Sequence, residues 1–208
     1  MGNRKLLICG ILAMGWYVLI NIIVAGLYPG YDIKTFTISE LSAIGAPTRT
    51  LWVLLAFIYS MLFLGFGFGI WSAANGDQRL RIVGAVIILD ASLGLFWPPM
   101  HQRHVIAGGG GTLTDTLHLV WAFVHLVLML VMIGYGAAVF GKRFRIFSAI
   151  IVLLFFVFGI LTARESIGIE ANLPTPNVGL WERLNIVAYM VWIAVFSILL
   201  MERKVQPA

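Results

Sequence analysis

Residues 115–139 read DTLHLVWAFVHLVLMLVMIGYGAAV, a 25-residue apolar run interrupted only near its start by Asp115, His118 and His125. A bilayer core of about 30 Å is crossed by about 20 mostly apolar residues in a helix. The stretch is therefore a membrane span with its ionisable groups gathered toward one end. Five further runs have the same character, at 5–28, 51–74, 80–97, 144–163 and 181–201. The third of them is the shortest and carries Asp90. Backbone polar groups in lipid must be satisfied within the segment, so each run is expected to be a helix.

The composition agrees. The chain of 208 residues is 61% hydrophobic and 11% charged, with a mean hydropathy of +0.97. Soluble domains are about 45–50% apolar and about 25% charged. A soluble globule is excluded, and so is disorder, which needs low hydrophobicity and high charge. Nucleic acid is not an expected partner, because the basic residues that make the net charge +5 sit at helix ends. The partner is the lipid bilayer. The expected architecture is all-α, one six-helix membrane domain over 1–208, with no linker and no internal repeat of the transporter kind. The run Gly108 to Gly111 is the one low-complexity tract.

Lys and Arg near helix ends set orientation. Arg4, Lys5, Arg79, Arg81, Lys142, Arg143, Arg145, Arg203 and Lys204 fall on one side, nine in all. Lys34, Arg49, Arg103, Arg164 and Arg183, five, fall on the other. Both termini are thus expected in the cytoplasm, with the long loops 29–50, 98–114 and 164–180 outside, in the plasma membrane. The first run is long and lacks a clean small-residue cleavage site, so it reads as a retained helix. Cys9 is the only cysteine, which excludes internal disulfides and cysteine-rich metal sites.

Away from the cytoplasmic ends, almost all His, Asp and Glu gather in the outer half: His101, His104, His118, His125, Glu40, Asp90, Asp115, Glu165, Glu170 and Glu182. Asp115, His118, Ala122 and His125 recur at helical spacing and form one stripe. His118 and His125 point within about 20° of each other, about 10 Å apart along the axis. They line one cavity but do not share one metal ion. Asp90 lies about 10 Å below the outer surface if the third and fourth spans pack antiparallel. An ionisable group there needs a partner, and His125 is the first candidate, His118 the second.

Plainer readings exist for each residue. Thr37-x-x-Glu40 and Thr112-x-x-Asp115 have the form of capping boxes. His101 and His104 read as solvent-exposed loop histidines. Arg164, Glu165, Glu170 and Arg183 read as surface ion pairs closing the last long loop. Gly65, Gly67 and Gly69 read as small residues that let helices approach.

The segments Ile38-Ser39-Glu40-Leu41-Ser42, Gly45-Ala46-Pro47-Thr48-Arg49, Phe96-Trp97-Pro98-Pro99-Met100-His101 and Thr114-Asp115-x-x-His118 resemble the prokaryotic membrane family catalogued as domain of unknown function 998. The resemblance covers essentially the whole chain and implies the six-span fold, with no activity attached. More distantly, Ile38-Ser39-Glu40 with Pro47 is similar to the first outer loop of Frag1/DRAM/Sfk1-like membrane proteins, some of which are linked to lipid and GPI-anchor handling.

Two functions follow. The first is a hydrolase acting on a lipid or other amphiphile, with His118, His125, Asp90, Asp115 and Glu40 as the catalytic set. His118 or His125 serves as general base beside a carboxylate. A zinc ion on His118, Asp115 and His101 is chemically admissible. No Gly-x-Ser-x-Gly or His-Glu-x-x-His pattern is present, so the nucleophile is water or one of Ser39 and Ser42. The second is a non-catalytic protein: a lipid or small-ligand binder, a sensor, or a proton-coupled carrier using the same polar pocket.

Overall fold

The computed structural model describes residues 4–171 and 173–203. Asn172 in the last long loop and Lys204 in the charge count lie outside the described residues. A 3-10 turn at Arg4–Leu7 leads into α1 (Ile8–Leu27). A long strap then carries a second 3-10 turn, Ile38–Ser42, before α2 (Arg49–Ala73). There follow α3 (Gln78–Leu93), a 3-10 turn at Gly94–Phe96, the short α4 (Arg103–Ala107), α5 (Leu113–Ala137), α6 (Lys142–Glu170) and α7 (Val178–Glu202).

Among the described residues, five helical segments are long and apolar enough to cross a membrane: Lys5–Leu27, Arg49–Ala73, Leu113–Ala137, Lys142–Glu170 and Val178–Glu202. The chain is an integral membrane protein. The expected third span appears as α3, only 16 residues long. It starts where Asp77 caps it, accepting the Arg79 N–H. It stops where Gly94 turns the chain into 3-10 geometry, and Pro98-Pro99 then hold Trp97 extended.

The long helices close a ring in the order α1, α2, α3, α5, α6, α7 and back to α1. Its interior is filled by Phe63, Phe66, Tyr189, Trp192 and Phe196, each under 2% exposed. Small residues set the closest approach. A Cβ on Gly84 of α3 would lie 2.9 Å from the Trp71 backbone nitrogen of α2. Gly67 faces Ile87 and Ile88 in the same seam, and Gly69 faces the backbone of Leu6 and Leu7. A smaller cluster of Ile20, Val24, Ile38, Leu41 and Trp52 seats the strap on α1 and α2.

Beyond the early stop of α3 and shifts of two or three residues elsewhere, two features differ from the sequence reading. The helix expected to end at 163 runs on to Glu170, since no proline occurs before Pro174. The connector 98–114 also contains α4, a single turn that presents Arg103. Both differences lie at the end of the bundle that carries the long loops, where the polar residues collect.

Candidate functional site

The strap is fastened to the bundle by charge. Glu40, 2% exposed, receives Arg103 through two bonds, Nε to Oε1 at 2.6 Å and an Nη to Oε2 at 2.7 Å. The Glu40 carboxylate also accepts the Thr37 backbone N–H at 2.8 Å and the Thr37 hydroxyl at 3.1 Å, completing the capping box. Arg103 adds bonds to the Thr35 carbonyl and the Thr175 hydroxyl, and its guanidinium lies 4.2 Å from the centre of the Phe36 ring. Bidentate Arg–carboxylate pairs fix geometry as well as energy.

A second fastening comes from α7. Glu182 accepts the Ile38 N–H at 2.5 Å. Arg183 donates to the carbonyls of Ile33, Phe36 and Gly179 and to the Tyr31 hydroxyl. The ion pairs expected between Arg183 and the loop glutamates do not form among the described residues. Arg183 turns to strap carbonyls, and Glu165 accepts the Asn177 N–H and the Trp181 indole N–H. Gly179 lets the strap come this close, because a Cβ there would strike the carbonyl oxygens of Phe36 and Ile33. Burial pushes the Tyr31 phenol up against the opposing charge of Arg183. The neutral hydroxyl donates to the Thr37 carbonyl at 2.8 Å.

These fastenings hold Ser39 against α5. Its Oγ lies 3.0 Å from His118 Nε2, and His118 Nδ1 lies 2.7 Å from the Pro98 carbonyl oxygen. A carbonyl only accepts, so Nδ1 carries the proton and Nε2 is the basic nitrogen that takes the Ser39 hydroxyl. Ser39 and His118 are both half-buried. Ser42, the other serine considered, is buried and donates to the Ser39 carbonyl at 3.1 Å.

Asp115 caps α5 through Thr112, accepting its N–H at 2.8 Å. It also binds His101 twice, at the backbone N–H (2.7 Å) and at Nδ1 (2.9 Å). His101 is therefore tied down rather than solvated, because the Ile44 N–H to Met100 carbonyl bond draws its segment alongside the strap. His104 is exposed. Deeper in the bundle, Asp90 and His125 meet at 2.7 Å, Oδ1 to Nδ1. Both are more than nine-tenths buried. The Trp121 ring sits 3.9 Å from the His125 ring and 5.9 Å from that of His118.

The five residues expected to form one catalytic set thus divide into three groups. Glu40 and Asp115 are capping and fastening carboxylates. His118 joins Ser39. Asp90 and His125 form a separate pair buried between α3 and α5. The trio His118, Asp115 and His101 does not converge on one point, since both His118 nitrogens face Pro98 and Ser39. Among the described residues no three His, Cys, Asp or Glu side chains are placed to hold a metal ion. The set does not fit zinc. The sequence placed Arg103 and Glu182 at this end but assigned them no role, and it gave no sign of the Pro98 carbonyl. Trp121 carried a usable signal, being three residues after His118 and four before His125 on the same stripe.

The class is thus an all-helical integral membrane protein with a polar cluster at one end, fastened to its longest connector. The chain belongs to the family described as "Protein of unknown function (DUF998)", whose model matches residues 11–199. No curated protein and no solved structure matches it.

Proposed function

We propose that the protein is a membrane-embedded acyl hydrolase that acts on an ester or amide of an amphiphile, with Ser39 as nucleophile and His118 as base. The observation that carries this reading is the relay Ser39 Oγ, His118 Nε2, His118 Nδ1 and Pro98 carbonyl, at 3.0 and 2.7 Å. A nucleophile in contact with a base that a third group orients is the shared logic of activated serines. In the first step the Ser39 oxygen bonds to the acyl carbon while its proton passes to His118 Nε2. The carbon–leaving-group bond then breaks, and His118 returns that proton to the leaving alcohol or amine. Water, deprotonated by the same nitrogen, cleaves the acyl-serine and restores both residues. Glu40, Arg103 and Asp115 position the strap and take no proton.

An amphiphilic substrate is supported by the surroundings. Leu117 and Leu119 beside His118 are 43% and 62% exposed, and Phe96 before Pro98 is 81% exposed. An apolar chain reaches the pair sideways through lipid. In this reading α3 is the sixth span. Its 16 residues rise about 24 Å and the following 3-10 turn adds about 6 Å, which together equal a bilayer core. The Lys and Arg bias supports cytoplasmic termini, and in this reading the relay faces the outer leaflet of the plasma membrane. With Cys9 changed to Ser, Leu173→Cys is expected to react with a membrane-impermeant maleimide added to intact cells, and Gln78→Cys only after lysis. The opposite pattern inverts the orientation.

A fluorophosphonate probe tests the chemistry. The purified protein is expected to be labelled at Ser39, with labelling lost in Ser39→Ala and slowed about 10²- to 10⁴-fold in His118→Gln. Absence of labelling in correctly folded protein favours the second reading, a non-catalytic ligand-binding bundle. There the Ser39–His118 bond is a joint between strap and α5, as the closed Arg103–Glu40 clamp supports.

A further inference from the structure

At the end of the bundle opposite the long loops, α6 opens with Lys142, Arg143 and Arg145, all exposed. At about 100° per residue the three spread over the outward half of the helix, while Phe144, Ser148 and Ile151 are buried on the other half. On the same outward half, one to three turns further along, Ile146, Ile150 and Leu153 are exposed and apolar. None of the three cations has a hydrogen-bond or ion-pair partner among the described residues. Of the two acids at this end, Asp77 is held by Arg79 at 3.3 Å and Arg203 at 3.5 Å. The other, Glu202 at the end of α7, is exposed and pairs with none of the three. Arg79 also donates to the Ala138 carbonyl at 2.7 Å, which ties the start of α3 to the turn before α6.

These cations do nothing for the helix itself, because the first turn faces the positive end of the macrodipole and favours acids. Membrane orientation needs an excess of Lys and Arg on one side, but not three accessible, unpaired charges on one lipid-facing arc. We infer that this arc is a binding surface for an anionic phospholipid. Its phosphate meets Lys142, Arg143 and Arg145, and its acyl chains lie along Ile146, Ile150 and Leu153. The unspent charge selects an anion, and the two guanidinium forks suit phosphate oxygens. The exposed apolar residues that continue the arc select a headgroup that carries chains over a soluble anion. Ser39 lies at the opposite end of the bundle, so the inference goes beyond the hydrolase reading and stands without it.

The test measures binding of two radiolabelled lipids to the full-length protein in dodecylmaltoside at low salt. Phosphatidylglycerol and phosphatidylcholine are used with the same palmitoyl and oleoyl chains, so that only net headgroup charge differs. Phosphatidylglycerol is expected to bind about ten- to a hundredfold more tightly, since three surface cations attract it. The triple variant Lys142→Gln/Arg143→Gln/Arg145→Gln is expected to erase that preference. Lys34→Gln/Arg164→Gln, which removes exposed cations from the long-loop end, is expected to keep it. Equal binding of the two lipids, a preference that survives the triple variant, or its equal loss in the long-loop variant overturns the surface. Millimolar sn-glycerol 3-phosphate, an anionic headgroup without chains, is expected not to compete, and displacement by it overturns the lipid assignment. Should the triple variant not fold, Arg143→Gln alone decides, with an expected drop in preference of about two- to fivefold. Fluorophosphonate labelling of Ser39 is expected to be unchanged in the triple variant, so either reading can fail without the other.

Discussion

His125→Leu is expected to cost the folded bundle about 3–5 kcal/mol, and adding Asp90→Leu to recover most of it. The two side chains touch at 2.7 Å and are 5% and 8% exposed. Removing the imidazole leaves a buried carboxyl in an apolar interior, with Tyr59 of α2 and Tyr189 of α7 within its electrostatic reach. Removing both partners replaces a polar pair by hydrocarbon, which such sites accept at little cost. Leu roughly preserves the imidazole's volume, so the Trp121 contact persists and cavity formation adds little. Equilibrium unfolding in mixed micelles, run as a double-mutant cycle, reads the coupling. Additive single-site losses would falsify the pairing as an energetic unit. The cycle also separates this pair from the Ser39–His118 relay, because Ser39 labelling should survive in the double variant.

Much of the fold was legible in the sequence because lipid is a demanding solvent. Five runs gave spanning helices directly, since length and hydropathy suffice when every backbone group must pair within its own helix. The limits of α3 and α6 were not so plain. The α6 overrun, Arg164 to Glu170, is polar enough to leave the membrane yet contains no proline, so hydropathy ends where the helix does not. Both capping boxes were legible because their signal is local, three residues from Thr to the carboxylate. The meeting of Asp90 and His125 depended on α3 and α5 being ring neighbours, which periodicity does not encode.

The site was less legible for a related reason. Ser39 and His118 are 79 residues apart, and Arg103 and Glu40 are 63 apart. Nothing local distinguishes Ser39 from Ser42, three residues on in the same turn. Their fates divide because Ser42 faces back to the Ser39 carbonyl while Ser39 faces α5. The Pro98 carbonyl left no side-chain signal at all. The expected zinc trio failed because Asp115 was already committed to Thr112 and His101, and a carboxylate spent on capping is a poor convergent ligand.

Arg103→Ala is expected to free the strap. The guanidinium serves four acceptors: both Glu40 oxygens, the Thr35 carbonyl and the Thr175 hydroxyl. It thereby joins the strap, α4 and the entry to α7. Its loss strands Glu40, which is almost fully buried, with only Thr37 for a partner. Breaking one side of such a buried pair costs about 3–5 kcal/mol. Because the clamp is confined to the long-loop end, the cost falls on local opening of residues 35–46 rather than on the helix ring. Amide exchange across that segment should quicken by about a hundredfold to a few thousandfold while α2 and α7 remain protected. Arg103→Lys should rescue little, since an ammonium keeps the charge but not the planar fork. Ser39 depends on the same turn for its approach to His118, so fluorophosphonate labelling should fall in step with the loss of protection. Unchanged exchange at Thr37–Ala43 would mean that Glu182, Arg183 and the other strap bonds suffice without Arg103, and the clamp would then have no part in positioning Ser39.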